Sequence, residues 1–570
     1  MKLKNIFLTI LFTFVFFGCV NLNYNENVIR DEEWVYNSPF AGIRNLVYDV
    51  YAQTFSEFKD DYYYTYNGAT LASATDEADY ANSISAIHKY YNGGWSSAYP
   101  FGNTWIVSYR AISEIHSYLE KIKKVNLEDY RYDSNYENIL LQFELFPYEL
   151  RFLRAYFYFE LAKTYGDVPL VLTTLTNAEA NNVERTPVQE IFKFIVDECD
   201  AIAEYLPVTY MTEATQEIGR ANRPAVLALK ARALLYAASP LFNTNNNKDL
   251  WKQAAAASKE LIDRSSEWGL QLSAYKDLWG HNAFTNPEFI FAIGGSTTWA
   301  GESNRFEMAN YPVGVENGSS GNCPAQSLVD VYEYQSDGKT FKEKHPGKIN
   351  LTQDNPYNGL DPRFALSIVR NGDSWPSNSV QKLTIQSYFG GFNGAPKYLA
   401  TPTGYYLKKY VDGNCVTTYN NPTTRRHTWI YMRLAEVYLN YAEAMYNYYG
   451  DADTKGDFGM SANEAVNKLR NRPDIKMPEF SGSANFEERY MRERMVEFAF
   501  EDHRFWDVRR WKKGNEFFSS IAVANLQLEN GDVILNRASK TRQWNDKYYL
   551  YPIPQSEIQK NKKLKQNPGW

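Results

Sequence analysis

The sequence predicts an all-α protein, in which a scaffold of packed helices is interrupted by a long, irregular, loop-rich insertion with short strands. Apolar residues recur at helical spacing in the two scaffold parts, residues 28–267 and 428–570. Between them, residues 268–427 are rich in Gly, Asn, Pro, Tyr and Trp and have little periodicity. The 570 residues, 44% of them hydrophobic, suffice for a large core, and no linker divides residues 28–570 into separate domains.

Helices are predicted where apolar spacing and end signals agree. Glu149–Tyr165 carries apolar residues at helical spacing, and Gly166 is a suitable stop. Asn222 is a suitable N-cap for a helix to Ala238, whose many alanines let neighbouring helices approach closely. The other predicted helices are Pro187–Leu206, Leu250–Ile262, Trp429–Tyr449, Ala462–Arg470 and Phe486–Trp511. Such paired helices resemble degenerate tetratricopeptide (TPR) units, whose period is about 34 residues.

The N-terminus predicts export and lipidation. Two lysines precede an apolar run, Ile6–Phe17, which is shorter than the roughly 20 residues that a membrane span needs. We therefore interpret residues 1–18 as a signal peptide. A glycine followed by Cys19 ends the run and predicts lipidation of Cys19, whose acyl chains would anchor the protein stably. Residues 19–27 form a polar tether.

Composition argues against several classes of function. The net charge is -7 and the basic residues are scattered, so no basic stripe predicts binding to nucleic acid. Three cysteines remain after Cys19, too few for a disulfide framework. No CxxC or HExxH motif predicts a metal site, and no cofactor is expected.

Several segments resemble the SusD/RagB family of Bacteroidetes outer-membrane lipoproteins. They occur in the expected order over nearly the whole mature chain and are Arg154–Leu170, Ala228–Asn243, Asp361–Phe364, Met432–Ala444, Glu497–Trp511, Tyr551–Pro554 and Asn567–Trp570. The resemblance implies a TPR-containing body that captures oligosaccharides at the cell surface and delivers them to a SusC-like TonB-dependent transporter. It also implies a body without catalytic activity.

Other ligands and functions stay open at this point. A peptide ligand, as in the RagB branch, is the main alternative to a glycan. A glycoside hydrolase or a TPR adaptor that binds only proteins is less favoured. Stacking on aromatic rings does not determine which sugar is bound, because most pyranose rings offer an apolar face.

Candidate ligand contacts follow from the chemistry of sugars. Pyranose rings present apolar faces and a rim of hydroxyls, which aromatic rings and Asn or Asp side chains match. The predicted contacts are Trp95, Trp299, Trp375, Tyr311, Tyr388, Tyr63, Asp76 and Asn103. Glycine-containing or polar turns precede the three tryptophans and predict that their rings are exposed. Trp105, by contrast, begins an amphipathic stretch and is predicted to be core.

The charged run near the C-terminus could suggest acid–base catalysis. It contains Glu493, Glu497, Glu501, Asp502 and His503 and lies beside Arg494, Arg504, Arg509 and Arg510. A glycosidase needs two carboxyl groups facing each other across a cleft, and no motif provides such a pair. We therefore predict that the run is a structural charge network and that the protein is not an enzyme.

Overall fold

Helices dominate the part of the chain that the structure describes, and strands form only small sheets: 44% of the described residues are helical and 12% are in strands. The computed structural model describes residues 39–57, 65–210, 218–280, 283–293, 304–378 and 380–570. The predicted signal peptide, Cys19 and the tether lie outside these residues. In the described ranges, no helix has the length and apolar character needed to cross a bilayer.

The helices of the first scaffold part are α1 Pro39–Ala52, α2 Thr104–Ile122, α3 Tyr136–Tyr165, α4 Asn177–Ala180, α5 Val188–Ile202, α6 Arg223–Ala238 and α7 Lys248–Arg264. The insertion contains α8 Arg305–Asn310, α9 Gln326–Val331, α10 Phe341–Lys344 and α11 Pro362–Ser367. The second scaffold part contains α12 Leu434–Tyr449, α13 Ala462–Arg470, α14 Phe486–Glu497, α15 His503–Arg510, α16 Gly514–Phe518 and α17 Gln555–Lys560.

The strands are β1 Ala78–Tyr80, β2 Phe289–Ile293, β3 Asn322–Pro324, β4 Ile349–Asn350, β5 Ile368–Val369, β6 Ser374–Ser377, β7 Lys382–Thr384, β8 Tyr406–Leu407, β9 Trp429–Arg433, β10 Ser520–Glu529 and β11 Asp532–Thr541. All pairings are antiparallel: β1 with β3, β2 with β9, β5 with β8, β6 with β7, and β10 with β11, which also pairs with β4.

The scaffold helices pack as a series of neighbours. α2 packs on α3, α3 on α5, α5 on α6, α6 on α7, α7 on α12 and α12 on α13. Small residues are buried in this packing: Ala254 and Ala255 on α7 and Ala442 on α12 are all fully buried. Stacked helix pairs produce such an order. The mainly helical scaffold is confirmed, and the TPR repeat itself stays a prediction.

Two predicted helices are corrected by the structure. The segment Trp429–Arg433 is strand β9 and not the start of a helix, because it pairs with β2 and its five side chains are buried in that arrangement. The predicted helix Phe486–Trp511 is two helices, α14 and α15. Phe500 and Asp502 between them have φ angles of 63° and 64°, a left-handed conformation that ends an α-helix.

The hairpin of β10 and β11 was not predicted, although the sequence carries a signal for it. Asn530-Gly531 joins two segments with alternating apolar residues, and both residues have positive φ, as a two-residue hairpin turn requires. Pairing of β11 with β4 ties the insertion to the second scaffold part. The insertion itself is irregular and contains short strands, as predicted.

A buried charge network joins the insertion to the scaffold. Its members are Glu288, Glu333, Asp361, Arg363, Lys409, Arg433, Arg470, Arg472, Glu493, Glu497 and Glu501, whose side chains are all at most 7% exposed. Arg363 and Lys409 belong to the insertion, whereas Glu493, Glu497 and Glu501 belong to the second scaffold part. The predicted structural charge network is therefore confirmed for Glu493, Glu497 and Glu501, whereas Asp502 and His503 are not members of it.

Arg433 at the end of β9 is the centre of this buried charge network. Its guanidinium contacts Glu288 and Glu497 at 2.7 Å and Glu501 at 2.8 Å. Glu497 also accepts hydrogen bonds from Arg472 at 2.8 Å and Arg363 at 2.9 Å. Desolvation by burial opposes ionisation of Glu497, yet the three arginines outweigh it and hold its pKa well below the ordinary value.

We expect Arg433→Ala to lower the free energy of unfolding by about 3–5 kcal/mol, because it leaves buried carboxylates without their counter-ion. Lys193→Ala is the matched control: Lys193 pairs with Asp197 in an exposed ion pair, and its loss should change stability by less than about 1 kcal/mol. Urea denaturation followed by circular dichroism measures both. Equal effects of the two substitutions would contradict a central role for Arg433.

Candidate functional site

A cavity of about 250 Å³ lies between the end of α1, the start of α2, the last turns of α3 and the turn before α15. Seven aromatic residues contribute to its wall: Phe55, Tyr66, Tyr90, Phe101, Trp429, Trp506 and Tyr551. Charged residues lie among them, and amide side chains stand at its mouth. This combination of apolar rings and polar groups makes it the candidate ligand-binding cavity.

An ion pair on α3 provides the charged part of the wall. Glu160 and Lys163, three residues apart on the helix, are 2.8 Å from each other and buried. The Lys163 ammonium also lies 4.3 Å from the centre of the Trp506 ring, a cation–π contact. Both charges are thus balanced within the protein, so the pair offers polarity without a net charge.

Asp502 projects from the turn between α14 and α15. One of its oxygens accepts a hydrogen bond of 3.3 Å from the Trp506 indole, and the other has no hydrogen-bond partner in the described part of the chain. Burial raises the pKa of Asp502 to about 7, against the opposing effect of the Lys163 charge. At neutral pH this carboxyl group is therefore balanced between its two protonation states.

The aromatic wall is held in place by hydrogen bonds among its hydroxyls. Tyr90 is 3.0 Å from the hydroxyl of Tyr66 and 2.9 Å from that of Tyr551. The Trp506 and Tyr551 rings stack with centroids 5.8 Å apart. These contacts fix the ring orientations before any ligand arrives, which lowers the entropic cost of binding.

The mouth of the cavity is polar and exposed. Asn103 lies directly before α2, where its side chain makes no capping hydrogen bond. Arg110 donates a hydrogen bond of 2.9 Å to the side-chain carbonyl of Gln53. Amide and guanidinium groups of this kind recognise hydroxyls by direct hydrogen bonds.

The predicted contact residues lie in different parts of the structure. Asn103 lines the cavity. Trp95 is only 2% exposed, so its predicted exposure is wrong: it stacks on Tyr548 at 5.3 Å and meets Tyr551 edge-on at 4.6 Å, behind the cavity wall. Tyr63 and Trp299 lie outside the described residues.

Three other predicted contacts, Asp76, Tyr311 and Trp375, are buried in other parts of the structure, so the predicted exposure of the Trp375 ring is wrong. Asp76 is bound by the Arg504 guanidinium through two hydrogen bonds, 2.9 and 2.7 Å long. Tyr311 donates its hydroxyl to backbone carbonyls of the insertion. Trp375 lies in β6, edge-on to Tyr311 at 6.4 Å, and the Lys408 ammonium is 5.6 Å from its centre. Direct ligand contact by these residues stays a prediction.

Tyr388 is partly exposed and belongs to a glycine-rich turn of the insertion. In the same turn Phe389 and Phe392 are 56% and 50% exposed, so they present more ring surface than Tyr388 does. Trp105 is buried, as predicted. Among the described residues, no three His, Cys, Asp or Glu side chains are grouped so that they could hold a metal.

Sequence reasoning missed the charged part of the cavity. Glu160, Lys163 and Asp502 lie in segments that were interpreted as a helical stripe and a charge network. The sequence does contain a signal for Glu160 and Lys163. The two residues are three positions apart on a helix whose C-terminal half is buried, and buried charged residues are found almost only in pairs. The contribution of Trp429 and Trp506 depends on tertiary contacts alone.

Comparison with known proteins gives consistent matches along the chain. Residues 287–570 match a family model described as "SusD family", and residues 38–235 match one described as "Starch-binding associating with outer membrane". The SusD-like protein P2 of Formosa agariphila is 24% identical over 437 residues, which are 74% of this chain and 73% of that protein.

Solved structures agree with these matches. A SusD-like protein of Bacteroides fragilis is 25% identical, with a TM-score of 0.75, over 95% of this chain and 99% of that one. A SusD-like carbohydrate binding protein from the same species is 24% identical, with a TM-score of 0.74, over 92% of this chain and 99% of that one. The overall fold is therefore shared along almost the whole chain.

The raised pKa of Asp502 predicts how stability depends on pH. Because the folded state holds the Asp502 proton more tightly than the unfolded state, Asp502 costs stability as pH rises from about 4 towards 7. Asp502→Asn keeps a side chain that tolerates positive φ. We expect the free energy of unfolding of the variant, relative to that of the wild type, to increase as pH rises from 5 to 8. The increase should be about 1.4 kcal/mol for each unit by which burial raises the pKa of Asp502. Urea unfolding at both pH values measures this, and a difference that does not change with pH would contradict it.

Proposed function

Since this chain belongs to the SusD/RagB family, we propose that it is a non-catalytic outer-membrane protein that captures oligosaccharides and delivers them to a SusC-like TonB-dependent transporter. The observation that supports this most directly is the candidate ligand-binding cavity, with its fixed aromatic wall and amide-bearing mouth. A structurally similar protein of Bacteroides fragilis is described as carbohydrate binding, which agrees with a glycan ligand.

The chemistry of the cavity suits a sugar better than an ion. Two of its charges, Glu160 and Lys163, neutralise each other, so neither is free to pair with a charged ligand. The ring faces of Tyr90, Phe101 and Trp429 match the apolar C–H faces of a pyranose, and Asn103 can exchange hydrogen bonds with hydroxyls. A volume of about 250 Å³ suits one sugar unit of a chain that continues into solvent through the mouth.

The absence of catalysis is part of the proposal. Asp502 has a pKa suited to a general acid, and two further carboxyl groups, Glu57 and Glu160, line the same cavity. Glu160 is held in the ion pair with Lys163, and Glu57 accepts a hydrogen bond of 2.6 Å from the Leu71 backbone N–H, so both are engaged within the protein rather than placed as the second group that glycoside hydrolysis needs. We therefore expect glycan binding without release of reducing ends.

Asn103→Ala should weaken glycan binding about fivefold, because it removes a hydrogen bond that contributes about 1 kcal/mol. We expect wild-type affinities between millimolar and micromolar. Isothermal calorimetry over a panel of neutral oligosaccharides and peptides measures both, with Asn245→Ala as the control for an exposed asparagine that does not line the cavity.

Three results would decide between the ligand classes. Equal glycan affinity of the wild type and Asn103→Ala would place the site elsewhere. Binding of peptides alone would replace the glycan by a peptide, which is the other ligand of this family. Release of reducing sugar from any member of the panel would overturn the proposal of a non-catalytic protein.

The membrane anchor and the partner are tested in cells. We expect wild-type protein to fractionate with the outer membrane, to be cut by protease added to intact cells, and to co-purify with a TonB-dependent barrel after solubilisation. Cys19→Ala should move into the soluble fraction, because the acyl chains that anchor the protein depend on that thiol. Membrane association that survives the substitution would contradict lipidation, and repeated absence of a barrel would contradict the partner.

A further inference from the structure

A cavity of about 280 Å³ lies within the insertion and is lined by residues of α11, β5 and β6 and by the residue that follows β8. We call it the β5–β6 cavity. It has no lining residue in common with the candidate ligand-binding cavity, and its volume is similar. Among the described residues that line it, three are charged: Arg370, Asp373 and Lys408. Its walls therefore carry one more positive than negative charge.

Asp373 neutralises Arg370. The Asp373 carboxylate accepts a hydrogen bond of 3.1 Å from the Arg370 guanidinium and one of 3.0 Å from the Arg370 backbone N–H. The guanidinium also donates to the Asn355 side chain at 2.9 Å. These contacts fix the position of Arg370. One of its terminal nitrogens makes no hydrogen bond within the described part of the chain, so it is available to a ligand.

Lys408 is the unbalanced charge of the β5–β6 cavity. Its ammonium donates one hydrogen bond, 2.8 Å long, to the Ala365 carbonyl, and it forms no ion pair in the described ranges. Ala365 is exposed, so the ammonium lies on the accessible side of the cavity and not in the core. An ammonium has three N–H donors, of which two are thus available to a ligand. Burial lowers the pKa of Lys408, and the Asp373 charge opposes this effect only in part.

The walls beside Lys408 are apolar. Phe364 and Trp375 are buried, and the Lys408 ammonium lies 5.6 Å from the centre of the Trp375 ring. Trp375 therefore supports the ammonium from behind instead of offering an open ring face. Apolar walls reduce the water around a charge, so an ion pair formed here is stronger than one on an open surface. The exposed side chain of Ser374 adds a hydroxyl to the polar part of the lining.

We propose that the β5–β6 cavity is a second binding site, which takes a sugar unit that carries an anionic group, a carboxylate or a sulfate, with the anionic oxygens bound to the Lys408 ammonium. Arg370 and Ser374 provide hydrogen-bonding groups for the hydroxyls of the ring. The choice of a sugar as the carrier of the anionic group rests on the proposed function. The cavity and its unbalanced ammonium are independent of that function.

Sugars that differ only in the group at C6 test this site. Isothermal calorimetry of the full-length mature protein compares galacturonic acid and galactose 6-sulfate with galactose, and acetate and inorganic sulfate serve as simple anions. We expect at least one acidic sugar to bind about tenfold more tightly than galactose, because hydrogen bonds to charged groups are stronger than those between neutral groups. A preference for galacturonic acid alone identifies the carboxylate as the anionic group, and a preference for the 6-sulfate alone identifies the sulfate.

Lys408→Met removes the charge and keeps a long side chain, so it should abolish the preference for the acidic sugar. Lys382→Met is the matched control, because Lys382 is an exposed lysine of β7 in the same insertion and does not line the cavity. It should leave the preference unchanged. Circular dichroism establishes that both variants are folded. In the wild type, the preference should also decrease as the salt concentration rises, because free ions screen the ammonium.

Asn103→Ala separates this site from the candidate ligand-binding cavity. A preference for the acidic sugar that persists in Asn103→Ala and disappears in Lys408→Met supports the second site. Equal wild-type affinity for galactose and both acidic sugars overturns this inference and leaves the proposed function standing, as does a preference that Lys408→Met retains or that Lys382→Met also loses. Acetate or sulfate bound as tightly as the acidic sugar overturns it too, because an adventitious ion only is then recognised. Failure of every sugar and oligosaccharide to bind overturns both proposals.

Discussion

The buried charge network around Arg433 is the constraint on which the rest of the structure depends. Charges this deep are tolerated only when each one is paired, so segments far apart in sequence must meet with little freedom of position. Arg433 itself connects the strand before α12 to the turn after α14. That turn must leave the helix at Phe500 and Asp502 to bring Glu501 to Arg433 and Lys409. The same turn carries Asp502 into the wall of the candidate ligand-binding cavity.

The cavity is therefore shaped by structural requirements that come from elsewhere. Its aromatic wall is backed by a second layer of rings, in which Trp95 packs against Tyr548, Tyr551 and Trp570. A ring in this second layer cannot stack on a sugar without rearrangement, yet it keeps Tyr551 and Tyr90 from turning away. Rigidity of this kind raises affinity by lowering the entropy lost on binding rather than by adding contacts.

The sequence allowed prediction of features that depend on local signals. The cap at Asn222 and the helix Ala462–Arg470 depend on neighbouring residues alone and were predicted correctly. The residues of Trp429–Arg433 suit a helix as well as a strand, and pairing with β2 makes this segment a strand. Exposure of aromatic rings was predicted poorly, because a turn of glycines and asparagines says where the chain bends but not which way a ring then points. Asn103, chosen because an amide side chain suits sugar hydroxyls, does line the cavity, whereas the place of Asp502 depends on a tertiary turn.

The pairing of β2 with β9 determines where insertions and deletions can accumulate during evolution. Ile293 lies opposite Trp429, so the chain leaves the scaffold and returns to it at one place. Lengthening a closed loop costs little, about 0.6 kcal/mol for each doubling, so insertions and deletions between these strands scarcely disturb the helices. The exceptions are Arg363 and Lys409, whose ion pairs with Glu493, Glu497 and Glu501 fasten the insertion from inside, and β4, which pairs with β11. Descendants of one ancestor can therefore diverge in the rest of this surface without disturbing the helices, provided that these attachments and the two strands are kept.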